Sequence, residues 1–183
     1  MTLAARREAE VGVYRGLYAG PDYGRPTRRH DGVRLMMTAE LARLRPSSWL
    51  DVGSGAVNYS DLFPGIRRED PAFGGLMIHR IDEAGVHDVV TCFDVLEHLL
   101  PEDLERAPAW LLAVTGRALY VSVGAFPSIW NCRRLHLTVR SPAEWDDWAF
   151  AAFAGVGMAT TKMPDLQKQT PCWRIEQTAP GTG

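Results

Sequence analysis

The run Trp49-Leu50-Asp51-Val52-Gly53-Ser54-Gly55 joins an apolar stretch to an acid and two glycines spaced one apart. Glycine lets a chain turn tightly off a strand and brings main-chain N–H groups close to a bound group, so this spacing suits a backbone cradle for a nucleoside ligand. A second acid, Asp70, lies close to the offset of about 20 residues at which a carboxylate on the next strand meets ribose hydroxyls. Cys92-Phe93-Asp94-Val95-Leu96-Glu97-His98 closes another apolar run and places two acids and an imidazole on one loop. His136, in Arg133-Arg134-Leu135-His136-Leu137-Thr138, follows a further apolar run. A histidine there can act as general base toward a hydroxyl.

Each of these residues has a plainer reading beside the chemical one. Asp51 could orient the glycine turn through main-chain hydrogen bonds, and Asp70 could be a turn acid before Pro71. Glu97 and His98 serve equally to cap or pack the helix that follows. His136 has a packing or hydrogen-bonding alternative, and His79 and His87 read as structural.

The elements that must position these groups follow from periodicity and punctuation. Val11, Tyr14, Leu17 and Tyr18 recur at helical spacing within a first helix from Leu3 to Tyr18, which Gly20-Pro21-Asp22-Tyr23-Gly24 breaks. This helix is expected to pack over the body. Asp31 is expected to cap a second helix with Leu35, Met36, Leu41 and Leu44 on its apolar face, stopped by Pro46. Between them Arg25, Arg28, Arg29 and His30 form a basic loop, either a solvated connection or a lid that meets an anionic group.

Ser48 to Val52 reads as the first strand, Asn58 to Phe63 as a short helix, and Gly65 to Glu69 as a second strand that delivers Asp70. The interval from Asp70 to Asp88 is too short for a helix, a full strand and two loops, since a mean helix alone takes about 11 residues. The helix after the second strand is therefore expected to be absent or a single turn, with Met77 to Arg80 a vestigial third strand leading to Asp82. His87 to Phe93 is the fourth strand, with Val89, Val90 and Phe93 buried. A helix from Pro101 to about Val114, kinked at Pro108, precedes an apolar central strand from Arg117 to Val123.

Ser141-Pro142-Ala143-Glu144 opens the last long helix with a capping-box pattern, and that helix presents Trp145, Trp148, Ala149 and Ala152 to the sheet. Val156 to Met163 and Cys172 to Gln177 are expected as an antiparallel pair, separated by a loop holding Pro164 and Pro171. The fold class is thus α/β: a doubly wound, mostly parallel Rossmann-like sheet with an antiparallel C-terminal strand pair, shortened between strands 2 and 4. The expected division is a helical cap over residues 1–46, the Rossmann-like body over 47–178 and a disordered tail over 179–183.

Composition narrows the function classes. A chain of 183 residues with 46% hydrophobic content suits one core. It holds no apolar stretch near the roughly 20 residues of a membrane span, and no secretory signal opens it, so a cytoplasmic protein is expected. Cys92, Cys132 and Cys172 are odd in number and lack a Cys-x-x-Cys pair, which indicates neither a disulfide framework nor a zinc site, and no metal is expected. The net charge of -2 argues against a general polyanion binder. Lys162 and Lys168 are the only lysines, so the basic residues are almost all arginine.

The glycine turn, the acid at Asp70 and the Asp94-to-His98 loop, in this order, resemble the class I S-adenosylmethionine-dependent methyltransferase family over roughly Trp49 to Gly155. By that resemblance Asp51, Gly53, Ser54 and Gly55 cradle the methionine portion of S-adenosyl-L-methionine, and Asp70 binds both ribose hydroxyls. Asp82 falls where the family often places an acid or amide facing adenine, and Phe93 and Asp94 close the strand where methyl group and acceptor meet. Glu97 and His98 on that loop, together with His136, are the candidate catalytic residues. The family's third glycine is missing, since Ala56, Val57 and Asn58 follow Gly55.

A sulfonium already activates its methyl group, so such an enzyme mainly aligns the acceptor for in-line displacement and excludes water. The Asp94-Val95-Leu96-Glu97 stretch differs from the Asn/Asp-Pro-Pro-Tyr/Phe motif of DNA amino-methyltransferases, and Pro171-Cys172 falls too late for a cytosine C5 nucleophile. A small acceptor (metabolite, sugar, lipid headgroup or modified nucleotide) ranks above polymeric nucleic acid. Two other classes stay open at this point. A nicotinamide-dependent reductase lacks its Tyr-x-x-x-Lys pair here, whereas a catalytically inactive methyltransferase-like scaffold fits the shortened middle.

Overall fold

Two interleaved sets of apolar side chains decide how the sheet of this computed structural model is covered. The described residues are 1–20, 28–154, 158–167 and 169–177. Arg25 of the basic loop, the break at Pro21 to Gly24 and the expected tail lie outside them. Trp49 in β1 (Trp49–Val52), Val89 in β3 (His87–Phe93) and Ala118 and Tyr120 in β4 (Thr115–Ser122) point to one face. Leu50, Val90, Leu119 and Val121, one residue on, point to the other. Period-two alternation with both sets buried is the mark of a strand covered on two sides.

The six-stranded sheet runs β2-β1-β3-β4-β8-β7, where β2 is Arg67–Glu69, β7 is Met158–Gln167 and β8 is Thr170–Gln177. β2, β1, β3 and β4 are mutually parallel, and β8 joins β4 antiparallel with β7 as its hairpin partner. The chain leaves β1 toward β2 on one side and reaches β3 on the other, so the strand order reverses between β1 and β3. Ligands of such sheets bind beyond the carboxyl ends of the strands at that reversal. β2 forms one border of the sheet and exposes Arg67 and Arg68. Pro164 and Pro171 lie within the hairpin strands rather than in a loop, with an irregular register between Met163 and Gln167.

One face is covered by α2 (Arg28–Leu44) through Val33, Met37 and Leu44. The other is covered by α3 (Pro101–Leu104), α4 (Ala107–Ala113) and α5 (Pro142–Ala152), whose Leu104, Leu111, Trp145 and Ala149 pack on the sheet. α5 opens with the expected capping box: Ser141 Oγ accepts from Glu144 N–H, and the Glu144 side chain accepts from Ser141 N–H. α1 (Leu3–Tyr18) lies outside both layers, against the small hairpin of β5 (Ile129–Trp130) and β6 (Arg133–Arg134) through Val13, Leu17, Trp130 and Leu135.

Several expectations need correction. α2 begins at Arg28, so Asp31 sits in its first turn rather than at its cap, Arg28 to His30 are helical, and Leu35 is 77% exposed. Asn58 to Phe63 forms turns, not a helix; Asn58 Oδ1 accepts from Ser60 N–H, a local bond that competes with helical pairing. The segment at Met77 is no strand. A 3-10 turn over Pro71–Phe73 is the expected single turn, and a 3-10 stretch over Ile78–Ala84 stands where the third strand was expected. The helix expected from Pro101 to Val114 is two pieces, because Pro108 lacks the N–H that would bond Leu104 and its ring crowds that carbonyl. No described helix is long and apolar enough to cross a membrane.

Candidate active site

β1 ends on Val52, and the chain departs at Gly53 with φ +69°. A Cβ at that position would stand 2.2 Å from Val95 Cγ2, so conformation and space both demand glycine. Gly53 N–H donates to Glu69 O at 2.7 Å, which ties the turn to the end of β2. Gly55, at φ +54°, donates its N–H to Asp70 Oδ2 at 2.9 Å, and its carbonyl accepts from the Arg68 guanidinium at 2.9 Å. The other Asp70 oxygen accepts from Ala72 N–H at 2.8 Å and caps the 3-10 turn. Burial raises the Asp70 carboxyl above its ordinary value, opposed by these two backbone bonds and by Arg68.

Asp51 lies beneath the turn. Its Oδ1 accepts from Thr91 Oγ1 at 2.7 Å, and Trp49 Nε1 donates to the same hydroxyl oxygen at 2.9 Å. Burial pushes the Asp51 carboxyl up to about 6; the Thr91 bond and Arg68 pull it down, and Asp70 adds to the rise. Asp51, Ser54, Tyr59 and Phe93 line a small pocket on the α2 side of the glycine turn.

The loop after β3 carries the second half of the site. Asp94 adopts φ +52°, donates its N–H to Ser122 O at 2.9 Å and accepts from Ser122 Oγ at 3.2 Å. A 3-10 turn over Leu96–His98 then brings Glu97 inward, where Oε1 accepts from Gly124 N–H at 2.5 Å. His98 Nδ1 lies 2.6 Å from Tyr14 Oη and 3.0 Å from Leu135 O. His136 Nδ1 lies 2.5 Å from Phe126 O, and the His98 and His136 rings meet edge to face with centroids 4.8 Å apart.

The two halves enclose a cleft of about 810 Å³ of empty space, solvent at its mouth included. Gly53, Asp70, Asp94 and His98 all line it, so the structure brings together the glycine turn, the second acid and the fourth-strand loop. Asp82 is not among them: it is exposed on the 3-10 stretch, and Met77, Ile78 and His79 occupy the cleft wall where it was expected. Burial is the main influence lowering His79 below the ordinary imidazole value.

α1 supplies further lining residues, among them the two tyrosines expected only to pack. Arg7, Tyr14 and Tyr18 roof the cleft. Arg7 pairs with Asp103, with Nε 2.8 Å from Oδ2, while Arg133 pairs with Glu10 at 2.6 Å. Tyr18 stacks on Phe73 at 5.0 Å. The available signal was the four-residue spacing of Tyr14 and Tyr18, two aromatics with hydroxyls on a helix face otherwise made of Val and Leu.

No protein-family model and no curated protein matches the sequence. Solved structures do match. The Burkholderia thailandensis 1,6-didemethyltoxoflavin-N1-methyltransferase, solved with 1,6-didemethyltoxoflavin and S-adenosylhomocysteine, superposes with a TM-score of 0.70 at 15% identity over 98% of this chain and 92% of that one. This is the class I methyltransferase fold. The methyltransferase domain of bacterial CtHen1-C shares the fold with a TM-score of 0.62 at 14% identity, covering 82% of this chain and 100% of that one. An S-adenosylmethionine-dependent methyltransferase from Clostridium acetobutylicum shares it with a TM-score of 0.60 at 7% identity, covering 81% and 92%. Within this methyltransferase fold the chain is shortened between β2 and β3, where only 3-10 turns stand.

Proposed function

We propose that this protein is an S-adenosyl-L-methionine-dependent methyltransferase acting on a small-molecule acceptor. The observation that carries the reading is the hydrogen bond from Gly55 N–H to Asp70, which joins a glycine turn at β1 to a carboxylate at β2 over a cleft at the strand-order reversal. A carboxylate offers about four acceptor sites, so Asp70 holds two backbone N–H groups and still receives ribose hydroxyls. The adenosyl group lies between Gly53, Asp70 and the apolar wall at Met77 and Ile78, while the amino-acid tail reaches the pocket of Asp51, Ser54 and Phe93. In this reading the methyl carbon lies near Asp94 and the acceptor beside His98, with Glu97 and His136 buried behind it. The three cysteines are free thiols, in keeping with a cytoplasmic enzyme.

The residues present bind and orient. The acceptor's lone pair attacks the methyl carbon as the carbon–sulfur bond breaks, and the roof formed by α1 excludes water from that displacement. His136, whose Nδ1 donates to Phe126 O, presents Nε2 as a basic atom toward an acceptor proton.

Titration calorimetry tests the reading. Heat from S-adenosylhomocysteine and none from NAD(P) supports it, and transfer of labelled methyl to a component of a metabolite extract completes it. Binding without any transfer would make the protein a methyltransferase-like scaffold instead. No binding of the cofactor product at all would remove both.

A further inference from the structure

Glu97, His98 and His136 carry more chemistry than methyl transfer demands. Each offers one donor atom, and those atoms lie within 4.8 Å of one another, with Glu97 and His136 buried and His98 half-buried. Both rings turn Nδ1 toward main-chain carbonyls: His136 to Phe126 O at 2.5 Å, His98 to Leu135 O at 3.0 Å. A carbonyl oxygen only accepts, so Phe126 O takes the Nδ1 proton of His136 and makes Nε2 its basic nitrogen; His98 Nδ1 also meets the Tyr14 hydroxyl at 2.6 Å, and its contact with Leu135 O favours the same tautomer. A metal-bound histidine characteristically donates its second N–H in this manner, and ligating carboxylates are likewise held by hydrogen bonds, as Gly124 N–H holds Glu97.

We propose that Glu97, His98 and His136 bind one divalent first-row transition-metal ion through the carboxylate and the two Nε2 atoms. Two imidazoles and a carboxylate suit Mn²⁺, Fe²⁺, Co²⁺ or Zn²⁺, and three protein ligands leave coordination positions open. His98 lines the cofactor cleft, so those positions face the acceptor space. An ion there lowers the pKa of a coordinated hydroxyl, which specifies an oxygen acceptor. The hydroxyl gives its proton to a solvent base, the oxygen lone pair forms the new bond to the methyl carbon, and the carbon–sulfur electron pair stays on sulfur as a thioether. With the ion bound, His136 holds metal and the ion replaces it as the activating group. The acceptor class rests on the methyltransferase reading; the ion site does not. Cysteine spacing, the basis for expecting no metal, has no bearing on a site made of Glu and His.

The test uses Co²⁺ and the metal-stripped full chain, without cofactor. The expected result is visible ligand-field absorption that saturates at one Co²⁺ per chain, with affinity falling at least about tenfold in His136→Gln and in Glu97→Gln. Circular dichroism shows which variants fold, and His98→Asn replaces any that does not. Folded variants that bind Co²⁺ as the parent does, or a parent without these bands, would overturn the site. S-adenosylhomocysteine binding is scored separately. Co²⁺ bound without it keeps the ion and removes the methyltransferase reading, and the converse result does the reverse. Methyl transfer that Mn²⁺ raises at least about tenfold in the parent but not in His136→Gln supports the oxygen acceptor. Labelled product methylated on nitrogen or carbon would overturn that part.

Discussion

Asp70 Oδ2 stands 2.9 Å from Gly55 N, so the carboxylate that faces the cleft also fixes the shape of the glycine turn. Asp70→Ala is expected to weaken S-adenosylhomocysteine binding by about 1 to 3 kcal/mol, through lost ribose bonds and a loosened turn. Calorimetry measures it, and unchanged affinity would remove Asp70 from the cofactor site.

Gly53→Ala places a methyl group 2.2 Å from Val95 Cγ2 at φ +69°. A loss of about 2 to 4 kcal/mol is expected in denaturant unfolding, from overpacking plus backbone strain. Adding Val95→Ala should return the steric part and leave the strain, so partial rescue is the outcome that checks the contact.

Asp51, pushed up to about 6 from 3.8 by burial, gives stability a definite pH slope. The folded state holds this proton more tightly than the unfolded chain. The contribution is therefore fully present below about 4 and is lost as pH rises through about 6, a change of about 3 kcal/mol. Asp51→Asn should flatten that slope: the difference in urea midpoint between variant and parent grows from pH 4 to pH 7 in the variant's favour. A constant difference across that range would sink the assignment.

Arg7 spans the roof and the body, and its partner Asp103 keeps only 5% of its side chain exposed. Arg7→Gln leaves that carboxylate with a neutral partner, an expected loss of about 1 to 3 kcal/mol. Hydrogen exchange followed by mass spectrometry should show faster exchange confined to Leu3–Tyr18. Exchange raised evenly through the sheet would instead assign the pair to global stability.

How far the fold was legible depends on where tertiary packing decides. The bounds of β3 and the first residue of α5 were readable because a mainly apolar run and a capping box are local signals. The glycine turn and Asp70 were legible for the same reason, since backbone conformation and close approach are written into residue type. Leu35 was misplaced because Val33, Met37 and Leu44, spaced four and seven apart, form the buried stripe of α2, and Leu35, two residues on from Val33, falls on the opposite side. Asp82 was misplaced because the chain crosses from β2 to β3 through 3-10 turns whose direction no periodicity encodes. The grouping of Tyr14, His98 and His136 joins three distant segments and becomes visible only in the folded molecule.

With 3-10 turns where a third strand was expected, β2 borders the sheet with no further described strand beside it, the kind of rim on which a stranger chain could extend the sheet. Three residues long, with an exposed Arg67 paired to Glu69 and an exposed Arg68 bonded to Gly55 O, it offers an intruder little register and a charged approach. So short and charged a rim disfavours edge-to-edge pairing, and Arg67→Gln is expected to make the protein clump at concentrations where the parent remains clear, as light scattering would read.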